Sequence, residues 1–174
     1  MIDIKKINIF LLLSFVFINF SFVAPSYSLT SRGDVFKNAL DLSSNGDFNL
    51  ALKEWNNYLD IYKDDAAAFS NRGNVKLVMG DIEGSINDQD KAISLNPNEV
   101  DPYINRGIAE EALGLWTLAK KDYIFAISKD SKNFSALYNF ANVEGSLSNW
   151  DKARDLFSKA ATYNPGFAMA RSSM

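Results

Sequence analysis

Four segments of this chain align on one another at a fixed period of 34 residues, with no insertion or deletion between them. The units are residues 32–65, 66–99, 100–133 and 134–167. Equivalent positions are small or apolar in every unit: Ala39, Gly73, Gly107 and Ala141; Ala51, Ser85, Ala119 and Ala153; Phe48, Ile82, Trp116 and Trp150. Units that repeat this strictly pack mainly on their neighbours, so the period predicts an array of units. A functional surface is therefore expected rather than one enclosed cleft.

Each unit has the pattern of two helices joined by a short turn. In the second unit, two segments of about 14 residues, each about 21 Å long as helices, meet at Gly80-Asp81. Gly80 is suited to the left-handed conformation that ends a helix, and Asp81 is suited to capping the next helix. The equivalent turns are Gly46-Asp47, Gly114-Leu115 and Ser148-Asn149. The sequence therefore predicts an all-α chain of antiparallel helix pairs.

The composition excludes several classes of chemistry. The chain contains no histidine and no cysteine, which removes thiol nucleophiles, histidine bases and the common zinc ligand sets. The adjacent carboxylates Glu110 and Glu111 would point about 100° apart on a helix and would not converge on a substrate. We therefore expect no enzymatic activity, no cofactor and no metal. The net charge of −3 and the absence of long Lys/Arg runs also disfavour nucleic acid as a partner.

The N-terminus has the pattern of an export signal. Lys5 and Lys6 precede an apolar stretch over residues 7–24. The small residues Ser26 and Ser28 then stand at the −3 and −1 positions of a cleavage site before Leu29. This predicts that residues 1–28 are a secretory signal peptide. The alternative is a retained membrane anchor, because the apolar stretch is at the lower limit for spanning a bilayer. In both cases the repeat is expected outside the cytoplasm, since the lysine pair stays inside, and membrane contact is expected only through the apolar stretch.

The residues that carry the repeat match a known pattern. They are Phe69, Gly73, Gly80, Asp81, Ser85, Ala92 and Pro97 in the second unit; Tyr103, Gly107, Gly114, Ala119, Tyr123 and Ala126 in the third; and Leu137, Ala141, Trp150, Ala153, Phe157, Ala160 and Pro165 in the fourth. In this register they resemble the tetratricopeptide repeat (TPR) family over residues 32–167, leaving residues 168–174 as a tail. Gln89 stands where that family usually has an aromatic residue. The resemblance implies a right-handed superhelical α-solenoid whose concave groove, lined by first helices, binds peptides or proteins.

One phase of the first helices carries asparagine repeatedly. In TPR proteins this phase faces the groove, and here it holds Asn71, Asn105 and Asn139, each 34 residues from the next. An asparagine amide both donates and accepts hydrogen bonds, so a ladder of them is expected to hold an extended peptide by its backbone. The flanking residues of the predicted binding surface are Asn74, Asn142, Arg72 and Arg106. The alternative is that these amides link neighbouring helices or face water.

A second comparison within the family argues against one type of ligand. TPR proteins that grip a C-terminal carboxylate place Lys and Asn in the first unit and Lys and Arg in the third. The corresponding residues here are Phe36 and Leu40, then Asp101 and Asn105. None of these four residues matches, and Asn71 is the only residue of this chain that fits the clamp pattern. The sequence therefore does not predict a carboxylate clamp.

Two functional hypotheses follow. The first is a non-enzymatic scaffold outside the cytoplasm that binds protein or peptide segments. The amino-acid sequence of residues 80–89, 105–114 and 165–173 resembles that of TPR proteins of cyanobacteria and chloroplasts. This resemblance implies a location in a periplasm or thylakoid lumen. It also implies a role in assembling membrane complexes such as photosystems. The alternative is a scaffold that self-associates into a homo-oligomer. Because only a short tail follows the last unit, Phe157 and Ala161 are expected on an uncapped apolar face.

Overall fold

The computed structural model describes residues 31–166, which form eight α-helices and no strand. The helices are α1 (Arg32–Asn45), α2 (Phe48–Ile61), α3 (Ala66–Val78), α4 (Ile82–Leu95), α5 (Asp101–Ala112), α6 (Trp116–Lys129), α7 (Phe134–Ser146) and α8 (Trp150–Tyr163). The predicted signal peptide or anchor, residues 1–28, and the tail, residues 168–174, lie outside the described residues. Of the eight helices in the described range, none has both the length and the apolarity needed to cross a lipid bilayer.

The helices form a curved stack. Each helix packs on its neighbours in sequence, and the first helices of successive units also contact one another: α1 with α3, α3 with α5, and α5 with α7. Within residues 31–166 the second helices make no equivalent contact with one another. A stack that is closed along one side bends toward that side, so the first helices line its concave face and the second helices its convex face. This arrangement confirms the predicted all-α solenoid.

The turns inside the units are the predicted helix ends. Gly46, Gly80 and Gly114 have φ values of 85°, 86° and 71°, and Ser148 adopts the same left-handed conformation at φ 62°. This conformation costs a non-glycine residue about 1–2 kcal/mol, so the fourth turn is strained where the other three are not. The Asp81 side chain accepts a hydrogen bond from the Gly84 amide at 3.0 Å, which confirms it as a cap.

The cap prediction fails at the first turn, because Asp47 precedes α2 without making a side-chain cap hydrogen bond. Its backbone carbonyl does accept the Ala51 amide at 2.9 Å, so the helix begins where expected.

Small residues allow the two helices of a unit to approach closely, as predicted. A Cβ atom added to Gly73 would lie 2.6 Å from Nε2 of Gln89, and one added to Gly107 would lie 2.7 Å from the Tyr123 ring. Gln89 and Tyr123 are both fully buried. The second unit therefore keeps the close helix pair of the other units with an amide in the place of an aromatic ring.

The end of the array differs from the sequence-based expectation. Phe157 and Ala161 are half-buried rather than exposed, and the Phe157 ring packs on Tyr138 with a centroid distance of 5.5 Å. The exposed side of α8 carries charged residues, including the ion pair between Lys159 and Asp155 at 2.7 Å. Within the described part of the chain, α8 closes the array with exposed residues that are mostly polar, together with Trp150 and Tyr163.

Candidate functional site: the concave face

The three asparagines of the predicted ladder lie at the same phase on α3, α5 and α7, and each is half-buried. The amide of Asn71 donates to the Ala67 carbonyl at 2.9 Å, one turn back on its own helix. The amide of Asn105 donates to Ser70 Oγ at 3.2 Å, which links α5 to α3. Asn139 makes no side-chain hydrogen bond to any described residue. Asn105 therefore links neighbouring units, yet each amide keeps an oxygen and at least one N–H group available to a ligand.

The two flanking asparagines also differ in their contacts. Asn74 Oδ1 accepts a hydrogen bond from Gln89 Nε2 at 3.2 Å, and the same nitrogen donates to the Ser70 carbonyl at 3.0 Å. The buried amide that replaces the usual aromatic residue thus orients a side chain of the concave face. Asn142 makes no side-chain hydrogen bond within the described part of the chain.

Two cavities open on the concave face, one on each side of α3. The cavity between α3 and α5 has a volume of about 200 Å³, and its lining residues are Ala66, Ala67, Ser70, Asn71, Asn74, Asn96, Glu99, Asp101, Pro102 and Asn105. The cavity between α1 and α3 has a volume of about 220 Å³, and its lining residues are Leu40, Ser43, Ser44, Phe48, Asn71, Asn74, Val75 and Val78. Asn71 and Asn74 form the wall that both cavities share. The structure thus brings together three of the predicted site residues, Asn71, Asn74 and Asn105.

The two arginines of the predicted surface are engaged elsewhere. Arg72 donates two hydrogen bonds to the Asp88 carboxylate, at 2.8 and 2.6 Å, and a third to Asn56 Oδ1 at 2.9 Å. These acceptors belong to α4 and α2, the second helices, which lie away from the groove. A bidentate, largely buried pair of this kind is geometrically specific. The guanidinium group of Arg72 therefore joins three helices instead of facing a ligand.

Arg106 repeats this arrangement one unit later. Its Nε and Nη2 atoms donate to Asp122 at 2.7 and 2.8 Å, and its Nη1 atom donates to Asp90. The pKa of Arg106 is raised, first by the hydrogen bonds to Asp122 and then by the one to Asp90. The sequence placed both arginines beside the asparagine ladder; the structure places their charged ends among the second helices, so we do not carry them into the proposed site.

Sequence reasoning missed a row of charged side chains inside the helix pairs. Lys76, Glu110 and Glu144 lie 34 residues apart, at a phase of the first helices that faces the second helices. Lys76 forms an ion pair with Asp88 at 2.8 Å. Glu144 is fully buried and is reached by Lys120 and Lys152, each at 2.8 Å. The detectable signal was the period itself, because charged residues recur at a phase where the first unit has the apolar residue Leu42.

Two members of this row have opposite electrostatic environments. Burial raises the pKa of Glu110 to about 7, and the nearby Asp122 carboxylate adds to the effect. The side chain has no hydrogen-bond partner for Oε2 among the described residues. Burial would also raise the pKa of Glu144, but hydrogen bonds from Lys120 and Lys152 outweigh it and hold that pKa at about 2. One carboxyl is thus poorly accommodated as an anion and the other is strongly stabilised.

Comparisons with known proteins agree with the repeat. No family model matches the chain. The chain is similar to human tetratricopeptide repeat protein 6, with 29% identity over 128 residues. The match covers 72% of this chain and 24% of that protein, so the chain spans about a quarter of the length of this curated relative.

Solved structures show the same fold. A crystal structure of MamA has a TM-score of 0.70 at 19% identity, covering 80% of this chain and 82% of that one. The first TPR of Spaghetti (RPAP3) bound to the HSP90 peptide SRMEEVD has a TM-score of 0.64 at 20% identity, covering 67% and 93%. The Arabidopsis OM64 TPR domain has a TM-score of 0.64 at 18% identity, covering 66% and 95%.

Proposed function

Because the chain is a tetratricopeptide repeat protein, we propose that it is a non-enzymatic binding protein that holds extended segments of other proteins along its concave face. The observation that carries this proposal is the cavity between α3 and α5, where Asn71, Asn74 and Asn105 converge. Asn71 and Asn105 each keep an oxygen and an N–H group free, and Asn74 keeps its N–H groups free, which matches the alternating acceptors and donors of a peptide backbone. Contacts of this kind depend little on the sequence of the ligand.

The similar structures support a peptide ligand and also indicate a difference. The first TPR of RPAP3 is bound to an acidic HSP90 peptide. In this chain the positions expected for a carboxylate clamp hold Phe36, Leu40, Asp101 and Asn105. Asp101 lines the cavity between α3 and α5 and would repel a carboxylate. We therefore propose peptide binding without a clamp for acidic C-termini.

We further propose that the protein acts outside the cytoplasm, in a periplasm or a thylakoid lumen. The signal-peptide pattern of residues 1–28 supports this location, and the resemblance to cyanobacterial and chloroplast TPR proteins supports a role in assembling membrane complexes such as photosystems. N-terminal sequencing of the protein purified from its own cells tests the export step. A mature chain that begins at Leu29 is expected, and recovery of the intact N-terminus from a cytosolic fraction would contradict export.

The alternative of a self-associating scaffold would need an apolar contact face on α8, where Trp150 is 69% exposed. The outer side of α8 is charged, and Phe157 is packed against Tyr138 rather than exposed. A homo-oligomer through this face would have to remove ion pairs such as Lys159–Asp155 and Arg154–Asp151 from water, which costs free energy. We therefore do not advance self-association as a second function.

The binding test uses residues 29–174 and random dodecapeptides displayed on phage. Enriched peptides are then synthesised, and their affinity is measured by fluorescence anisotropy. Replacing Asn71, Asn105 and Asn139 by alanine is expected to weaken binding at least tenfold, because three hydrogen bonds of about 1 kcal/mol each are removed. The helical circular dichroism signal should persist, since only the Ser70 contact of Asn105 links two helices.

A matched control carries the same chemical change on the other side of the array. Asn49, Asn57 and Asn87 are exposed on the second helices and make no side-chain hydrogen bond to described residues. Their replacement by alanine should leave peptide affinity unchanged. Equal losses in the two triple variants would sink the assignment of the concave face, and the absence of any enriched peptide would sink peptide binding itself.

A further inference from the structure

The two cavities beside α3 differ in chemistry although they share a wall. Asn71 and Asn74 line both of them. The cavity toward α5 contains Glu99 and Asp101, whereas the cavity toward α1 contains only uncharged residues. A peptide backbone held by the shared asparagines would therefore place side chains into two unlike environments.

The cavity toward α5 is acidic. Glu99 and Asp101 are exposed, and neither carboxylate forms an ion pair or a side-chain hydrogen bond with the described part of the chain. No lysine or arginine is among the residues that line this cavity. By contrast, Asp88 and Asp122 inside the helix pairs are each paired with an arginine. Charge complementarity therefore favours a cationic side chain at this end of the site.

The cavity toward α1 is apolar where it meets solvent. Leu40 on α1 and Val78 on α3 are 38% and 62% exposed, and the half-buried Phe48 forms part of the same wall. Covering these side chains removes apolar surface from water, which is favourable at about 25 cal/mol per Å². A volume of about 220 Å³ accommodates one aliphatic side chain of a ligand.

The separation of the cavities sets the spacing of the two ligand side chains. The cavities lie on opposite sides of α3, so their centres are about one helix spacing apart, or about 8–10 Å. An extended peptide advances about 3.3 Å per residue. The two ligand side chains should therefore be about three residues apart in sequence.

Resting on the proposed function, we infer that the concave face selects extended segments that carry an aliphatic residue and, about three positions away, a lysine or arginine. The aliphatic side chain occupies the cavity bordered by Leu40 and Val78, and the backbone lies on Asn71 and Asn74. The cationic side chain lies between Glu99 and Asp101. Segments with an acidic residue at that position are disfavoured.

The test uses fluorescein-labelled nonapeptides in a serine–threonine background. The reference peptide has one leucine and one arginine three positions apart. Three companions replace arginine by glutamate, replace leucine by serine, or place leucine and arginine next to each other. Anisotropy titrations with residues 29–174 are expected to rank the reference first, with a loss of about fivefold to tenfold for the glutamate peptide and a smaller loss for the others.

Protein variants then assign the preference to named residues. In a Glu99→Gln/Asp101→Asn variant the arginine and glutamate peptides should bind within about twofold of each other. The control Asp60→Asn/Glu83→Gln makes the same change in net charge at exposed positions on α2 and α4, and it should retain the preference. Val78→Ser should remove the preference for leucine over serine and leave the preference for arginine over glutamate unchanged. Asp101 is the first residue of α5, so its replacement can also affect the stability of that helix. Glu99→Gln is therefore tested singly as well, and it should reduce the preference for the arginine peptide by about half.

The outcomes separate the two proposals. Tight binding of the glutamate peptide, or phage enrichment of peptides with no basic residue, would overturn the inference and leave peptide binding standing. Failure of all four peptides and of the phage selection would overturn both. If the Asp60→Asn/Glu83→Gln control loses the preference as the groove variant does, the preference comes from net charge and the inference also fails.

Discussion

The replacement of Glu110 by glutamine should stabilise the protein at neutral and alkaline pH. Glu110 is 6% exposed, and its Oε2 atom has no hydrogen-bond partner among the described residues. The carboxyl faces Asp122 on α6, while Arg106 is shared between Asp122 and Asp90, and Lys121 is a weaker attraction. Glutamine has nearly the same shape and no charge. The replacement therefore removes the free-energy cost of a buried carboxylate without leaving a cavity.

The magnitude follows from the shift of the pKa of Glu110 from 4.5 to about 7. Each pKa unit corresponds to about 1.4 kcal/mol, which gives an upper limit of about 3 kcal/mol. Solvent around the neighbouring exposed charges reduces this value, so we expect a gain of about 1–2 kcal/mol in the free energy of unfolding.

The stability difference between the Glu110→Gln variant and the natural protein should increase with pH. Because the folded state holds the proton more tightly than the unfolded state, the folded protein is disfavoured progressively as pH rises from about 4.5 to about 7. The difference between the Glu110→Gln variant and the natural protein should therefore be near zero below about pH 4.5 and largest above about pH 7.5.

Urea unfolding followed by circular dichroism at about pH 5 and about pH 8 measures this difference. The control variant Glu83→Gln removes an exposed carboxyl on α4 and should show no gain at either pH. An equal gain at both pH values, or no gain at about pH 8, would refute the reasoning that Glu110 is held as a poorly solvated anion.

Three further changes test the fold. Ser148→Gly should raise the free energy of unfolding by about 1 kcal/mol in urea titrations, because it relieves the left-handed conformation at φ 62°. Glu144→Gln should cost about 2 kcal/mol near neutral pH, since Lys120 and Lys152 lose their shared carboxylate; the loss should fade as pH falls from 4.5 toward about 2, where the natural carboxyl also becomes neutral. Gly107→Ala should lower the thermal midpoint, because its Cβ would lie 2.7 Å from a buried ring and overpacking costs about 1–3 kcal/mol.

The helix pairs could be predicted because local rules determine them. The turn at Gly80 needs only a residue that tolerates the left-handed conformation, and Gly107 needs only to be small. The position of a long charged side chain is different, since it depends on which helices its end can reach. Arg72 sits one residue from Asn71, yet its guanidinium group contacts the convex side of the pair. The period indicates that a residue recurs, but it does not tell which of two faces a flexible side chain will choose.

The ion-pair partners of the buried charges could not be predicted from the sequence for the same reason. Glu144 is neutralised by lysines from two different helices, α6 and α8, and no spacing rule connects those three positions. The pairs Arg72–Asp88 and Arg106–Asp122 do share a separation of 16 residues, which a search for repeated charge pairs would have found. Asparagine at a repeated phase was a usable indication for the cavity wall, although it did not distinguish the helix-linking role of Asn105 from a free amide.

The arginine contacts also determine how the array bends. Arg72 connects α2, α3 and α4, and Arg106 connects α4, α5 and α6, so each guanidinium group spans two units. The equivalent position in the fourth unit is Phe140, which offers no directional bond of this kind. Directional ionic contacts resist a change of angle more than apolar contacts do, and added salt weakens those that are exposed. The solenoid should therefore resist bending more strongly around the two cavities than toward α7 and α8. Its bending stiffness around the cavities should fall as the salt concentration rises.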